Sequence, residues 1–191
     1  KEESFRDATV SWWTNIAARY RNESAVAGYD LLNEAMDAPM NDLIAFYDRL
    51  YNAIRRVDPR HILIIEDGLH GIYRLPHPDR MGWSNVVYSF HYYPQSPGET
   101  LEAEGRHFPK FNNAAVFFGV PMLVGEFNTM LLERGGVDYF KRFAEVLDYY
   151  GWAWTFWTYK KTEKNRNYNW GLYGKSDRSV TPDFHNESAE A

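Results

Sequence analysis

The sequence predicts an α/β chain of the (β/α)8 TIM-barrel type, and three observations carry that expectation. Apolar, strand-like runs alternate with segments of helical periodicity, an order that calls for a parallel sheet. The runs end near Glu34, Glu66, His91, Glu126 and Trp157, at intervals of 32, 25, 35 and 31 residues. About 31 is expected when roughly 250 residues make eight units. Each run finishes on a polar or aromatic residue able to serve one shared mouth, which favours a barrel over a doubly wound sheet of similar spacing.

Taken in order, Val10, Trp13, Ala17 and Tyr20 recur at helical steps and predict an amphipathic helix over 5–20. Residues 26–33 read as a strand. Asn41 is placed to cap a helix that runs to about Val57, with Leu43, Phe46, Tyr47, Leu50 and Ile54 on its apolar face. Asp58-Pro59 stops that helix. Residues 61–65 are continuously apolar after His61, as in a strand buried on both faces. A polar loop rich in Gly, Pro and His follows, then a strand over 86–92 and a helix over 100–118 that ends at Gly119. Pro121-Met122 opens the strand that carries Glu126, a helix over 136–150 is closed by Gly151, and 152–158 is the last strong strand. In that strand Ala153, Thr155 and Trp157 share one face, while Trp152, Trp154 and Phe156 share the other. Small residues suit a narrow lumen and large ones suit packing beneath helices.

Five strands are counted where a barrel needs eight, and the opening helix lacks a strand before it. The chain is therefore expected to supply strands four to eight as a single domain over 1–191. The first three strands, on the order of 60 to 90 residues, would be absent. An open piece of this kind leaves two unpaired edges.

Composition narrows the chemistry. A net charge of −5 offers no basic field, which argues against nucleic acid and anionic membranes as partners. The absence of cysteine excludes disulfides and thiolate metal sites. No apolar run approaches the roughly 20 residues of a membrane span. Aromatic residues make up 17% of the chain; most such rings build cores, but flat rings also stack on sugar faces.

Glu34 and Glu126 stand out because a carboxylate at the tip of a buried strand is costly without a function. Two of them facing each other across a mouth are the machinery of glycoside hydrolysis, and a retaining mechanism needs them about 5 to 5.5 Å apart. His91 and Tyr93 share a strand face through the two-residue period. That places Tyr93 next to the strand of Glu126, where a donating phenol would orient the carboxylate. Asn33 is either a strand-end cap or a sugar ligand. Glu66-Asp67 could line the cleft, and Tyr73, Trp83, Tyr92 and Trp170 are possible sugar platforms. His70, His77 and Asp79 match no ligand spacing, so no metal is expected.

Four motifs gather these residues: Leu32-Asn33-Glu34, Ser89-Phe90-His91-Tyr92-Tyr93, Val124-Gly125-Glu126-Phe127 and Phe156-Trp157-Thr158. Through them, over residues 26 to 160, the chain resembles the C-terminal two-thirds of a family 5 glycoside hydrolase of cellulase type. In the usual pattern proline follows the Asn-Glu pair, and Ala35 stands there instead, which loosens the loop. The resemblance implies that Glu34 is the general acid/base and Glu126 the nucleophile. It implies substrate-binding roles for Asn33, His91, Tyr93 and Trp157, with Asn33 at the sugar 2-hydroxyl and Trp157 as the platform. The implied activity is double displacement on a β-1,4-glucan, without cofactor or metal, in a secreted enzyme. β-Mannanase, β-1,3-glucanase and exo-β-glucosidase activities stay open, as does a non-catalytic carbohydrate-binding module or half-barrel needing a second chain. By the same resemblance, early strands would supply an Arg and another His beside the nucleophile. Residues 1–191 alone are accordingly expected to be inactive or nearly so unless the missing segment, from the same polypeptide or a second chain, is present.

Overall fold

The computed structural model describes residues 2–93, 103–128, 136–159, 173–176 and 179–182. They fall into two compact units, 1–90 with 113–122 and 91–112 with 123–191. The expected helix around residue 100 and the platform candidate Trp170 lie partly or wholly outside the described residues.

The first unit contains α1 (Glu2–Tyr20), β1 (Gly28–Asp30), α2 (Met40–Arg55), β2 (Ile62–Glu66), a 3-10 turn (Ile72–Arg74), α3 (Pro78–Met81) and most of β3 (Val86–Tyr92). β1 pairs in parallel with β2 through Gly28–Ile62 to Asp30–Ile64, and β2 with β3 through Leu63–Val86 to Glu66–Ser89. Tyr88 N–H then reaches Pro121 O at 3.1 Å, where the next strand begins. β2 buries Leu63 and Ile65 completely on one face, but Ile62 and Ile64 on the other are only half-buried, so the expected burial on both faces is met on one.

α2 buries Leu43, Tyr47, Leu50 and Ile54 as its periodicity predicts, and Tyr51 and Ala53 beside them. Its start differs from expectation: the N-cap is Pro39, in extended backbone at φ −55°, and Asn41 lies exposed inside the first turn. A proline before the helix presets the entry without a side-chain cap. α1 is less one-sided than expected. Ala17 is fully buried and Trp13 donates its indole N–H to Leu31 O at 3.0 Å, but Tyr20, Trp12 and Phe5 are exposed. Arg49 of α2 ties the two helices by pairing with Glu3 at 2.6 Å and with Asp7.

A polar knot closes the amino ends of these strands. Asp58, fully buried, accepts from the Tyr29 phenol at 2.7 Å and from the amides of Arg60 and His61 at 2.9 and 3.2 Å. The His61 ring lies 2.5 Å from the same carboxylate. Arg55 donates to the carbonyls of Asp58, His61, Ser84 and Asn85, which gathers the entries of β2 and β3. A cavity of about 370 Å³ sits at this end, but Arg60, His61 and Asn85 on its wall already bond to Arg21 O, Asn22, Glu23 O and Arg60 O.

In the second unit, a π turn (Ala103–His107) leads into α4 (Phe108–Phe118), which continues into the first. β4 (Met122–Phe127), α5 (Gly136–Tyr150) and β5 (Ala153–Trp154) follow, then an antiparallel hairpin of β6 (Tyr173–Ser176) and β7 (Ser179–Pro182). Gly119 and Gly151 follow their helices in left-handed backbone, as expected. β4 and β5 pair in parallel through Leu123–Ala153 and Val124–Trp154. Strand order in the sheet thus follows the chain, β1-β2-β3-β4-β5.

The core here is aromatic. Phe108 meets Tyr92, Phe143 and Trp152 at ring distances of 5.2, 5.5 and 5.9 Å. Phe127 meets Phe143 at 4.8 Å, and Trp154 and Phe156 pack on Phe127 and Phe140, so the large residues of the last strand do lie against a helix. Both edge strands are shorter than expected. β1 spans three residues rather than eight and β5 two rather than seven, because the flanking residues make single rather than paired ladder bonds. No helix among the described residues is long and apolar enough to cross a membrane.

Burial alone would push the Asp58 carboxyl up, but the hydrogen bonds from Tyr29, the Arg60 and His61 amides and the His61 ring outweigh it and hold it at about 2. A carboxyl depressed in the folded state contributes stability that is complete above its unfolded value, near pH 4, and is lost as pH falls towards 2. Asp58→Asn is therefore expected to cost about 2 kcal/mol at pH 7. It should also flatten the loss of stability between pH 4 and pH 2, as read by denaturant unfolding across that range.

Candidate active site

In the second unit, β3 ends by alternating its side chains. Tyr92 turns into the Phe108–Phe143 core, which leaves His91 and Tyr93 on the opposite side. Both converge on Glu126, the next-to-last residue of β4. The Tyr93 phenol donates to Glu126 Oε2 at 2.6 Å, and His91 Nδ1 lies 3.5 Å from the same oxygen. The His91 side chain is almost fully buried and that of Glu126 mostly so. A phenol–carboxylate bond of this length is of the strong, charge-assisted kind.

Trp157 joins this unit through its backbone. Its N–H donates to Phe127 O at 3.1 Å, and the Asn128 side-chain amide donates to its carbonyl. The indole is nearly half exposed, at 49%. Asn128, 5% exposed, is a contributor that the sequence reading overlooked. Its only local signal is a polar residue one step past the strand.

In the first unit, Asn33 and Glu34 follow β1, Asn33 exposed and Glu34 half-buried. Glu34 adopts left-handed backbone at φ 46°, rare for a residue with a long side chain. Its N–H donates to both carboxylate oxygens of Glu66, at 3.1 and 2.9 Å. Glu66 is 1% exposed, so the expectation that it lines the cleft is corrected: it holds the neighbouring loop from beneath. Asp67, equally buried, accepts from the amides of Leu69 and Gly71 at 2.9 and 3.0 Å and shapes the turn that follows. His70 uses Nε2 on Ala38 O at 3.0 Å. His77 caps α3 by accepting from the Asp79 amide.

Two platform candidates are also corrected. Trp83 is 3% exposed, with its N–H on Asp48 at 2.9 Å, and Tyr92 is a core ring. Tyr73 is exposed.

The fold is that of a parallel α/β enzyme, and the comparisons define its class. The family model for cellulase, glycosyl hydrolase family 5, matches residues 1–163. The chain belongs to glycosyl hydrolase family 5. A β-xylosidase of Phanerodontia chrysosporium is 32% identical over 112 residues, 56% of this chain and 24% of that protein. Endoglucanase Z of Dickeya dadantii (strain 3937) is 25% identical over 193 residues, 96% of this chain and 40% of that protein. The chain thus spans between about a quarter and two fifths of these relatives' lengths. Among solved structures, Thermotoga maritima Cel5A in complex with cellobiose overlays with a TM-score of 0.76 at 17% identity, covering 94% of this chain and 65% of that one. The lactosyl-enzyme intermediate of endo-glycoceramidase II from Rhodococcus sp. gives 0.69 at 25%, covering 92% and 43%. The five parallel strands and their helices match part of the (β/α)8 barrel of such structures.

Gly68 shows how closely the two loops of the first unit approach. It sits at φ 58°, and a Cβ there would lie 2.9 Å from Leu43 Cδ2 and 3.1 Å from Ala35 O. Gly68→Ala is expected to cost about 1 to 3 kcal/mol, from the left-handed backbone and the overpacking together. Thermal unfolding of the variant measures this directly.

Proposed function

We propose that the chain carries the catalytic carboxylates of a retaining glycoside hydrolase that cleaves β-1,4-glucan by double displacement. The observation that carries this reading is the pair of side chains, Tyr93 and His91, converging on Glu126 Oε2. A nucleophilic carboxylate must be held in one direction before it can attack, and a phenol at 2.6 Å with an imidazole behind it does so. Glu34, exposed enough to meet solvent and substrate, takes the acid/base role, with Asn33 beside it on the sugar 2-hydroxyl and Trp157 as the platform.

In the first step Glu34 gives its proton to the glycosidic oxygen as a Glu126 oxygen bonds to the anomeric carbon and the leaving sugar departs. In the second, the Glu34 carboxylate takes a proton from water. The water oxygen bonds to the anomeric carbon and the bond to Glu126 breaks. No metal or cofactor enters either step.

The substrate class is supported by the names of the relatives: an endoglucanase, and Cel5A in complexes with cellobiose and with mannotriose. The covalent step is in keeping with the lactosyl-enzyme intermediate of the Rhodococcus glycoceramidase. Degradation of a polysaccharide outside the cell is the accompanying proposal for setting. Because the barrel class uses eight strands, full activity is proposed to need the remaining three, from the same polypeptide or a second chain.

In the complete protein, Glu126→Ala is expected to lower kcat by at least about 10⁴-fold. A 2-deoxy-2-fluoro cellobioside with a good leaving group should leave its sugar on Glu126, located by peptide mass spectrometry. A label elsewhere, or retained turnover on every β-glucan and mannan, would overturn the assignment. Binding of cello-oligosaccharides without turnover would point to a carbohydrate-binding module instead. Tyr93→Phe, which removes only the oriented phenol, should cost roughly ten- to a hundredfold in kcat.

A further inference from the structure

We propose that Glu66 is a positioning residue for the general acid: its buried carboxylate sets the backbone of Glu34 and hence the direction of proton delivery. This rests on the acid/base reading of Glu34. The amide of Glu34 is held by both oxygens of a side chain that is 1% exposed and cannot itself meet substrate. The residue so held adopts φ 46°, a conformation that persists only where its surroundings determine it. A proline at 35 would bias residue 34 towards extended backbone, whereas Ala35 leaves the left-handed conformation open without fixing it.

The base of the clamp is rigid. Glu66 is the last residue of β2, in register with Ser89, and the next amide, Asp67 N–H, donates to Ser89 O at 3.0 Å. From there the segment 66–70 meets the loop 34–38 at three points. Glu66 takes the Glu34 amide, Gly68 backs against Ala35 O, and the His70 ring reaches Ala38 O. Inside the loop, the Met36 amide closes on Glu34 O at 2.6 Å, so fixing residue 34 fixes the turn. The charge of the carboxylate suits it to this task. Two acceptor oxygens straddle one donor, whereas a glutamine keeps one acceptor and sets an N–H2 in place of the other.

The test uses the complete protein, wild type and Glu66→Gln, on two aryl β-cellobiosides. Dinitrophenolate leaves without a proton; phenolate needs one. If Glu66 positions the acid, Glu66→Gln loses about 30-fold in kcat/KM on the phenyl substrate and less than about 3-fold on the dinitrophenyl one. Equal losses on both, or none on either, overturn the proposal. Amide hydrogen exchange at Glu34 supplies a readout that needs no turnover. Protection in the wild type that is lost in Glu66→Gln supports the clamp, and free exchange in the wild type removes it. Should the wild type turn over neither substrate, the hydrolase reading fails, and the exchange measurement alone decides whether Glu66 sets the backbone of Glu34.

Discussion

Parallel pairing in a fixed register is the constraint on which the remaining structure depends. Parallel strands all run the same way, so their carboxyl ends come out on the same edge of the sheet. With Asp30 opposite Ile64 and Glu66 opposite Ser89, the loop after β1 leaves the sheet beside the last residue of β2. That is why Glu66 can reach the amide of Glu34. A slip of one residue would turn every side chain on β2 to the other face and take the carboxylate away.

The two proposed catalytic carboxylates are held by different means. Glu126 is gripped by its own side chain, between a phenol and an imidazole carried on the neighbouring strand end. Glu34 is gripped through its backbone, with its amide on Glu66. A carboxylate that must form a bond to carbon benefits from a fixed oxygen. One that must give and later take a proton benefits from a backbone fixed at the point where its side chain begins.

The centres of the strands and helices were legible because their signals are local. The continuous apolar run of β2, the helical period of α2 and the glycine after α5 depend on neighbours in sequence. Edge strands were not, since the extent of β1 and β5 is decided by which partner amides lie across from them. Glu66 was misread because a strand-end glutamate looks the same whether it faces a cleft or a neighbouring backbone. Trp83 and Tyr92 were misread for a related reason: whether an aromatic ring stacks on a ligand or fills a core depends on residues such as Asp48 and Phe108 that are distant in sequence. Tyr93 was legible because strand alternation and one adjacent strand sufficed to place it.

The knot around Asp58 gathers the amino ends of β1 and β2, while Glu34 and Glu66 occupy their carboxyl ends. The same strands thus separate a group expected to contribute to stability in acid from the groups proposed to govern turnover. Acid tolerance and the working pH of such an enzyme become independent design variables. Altering the polar contacts at residues 29, 58 and 61 would move the first and leave the second to the loops at the other end.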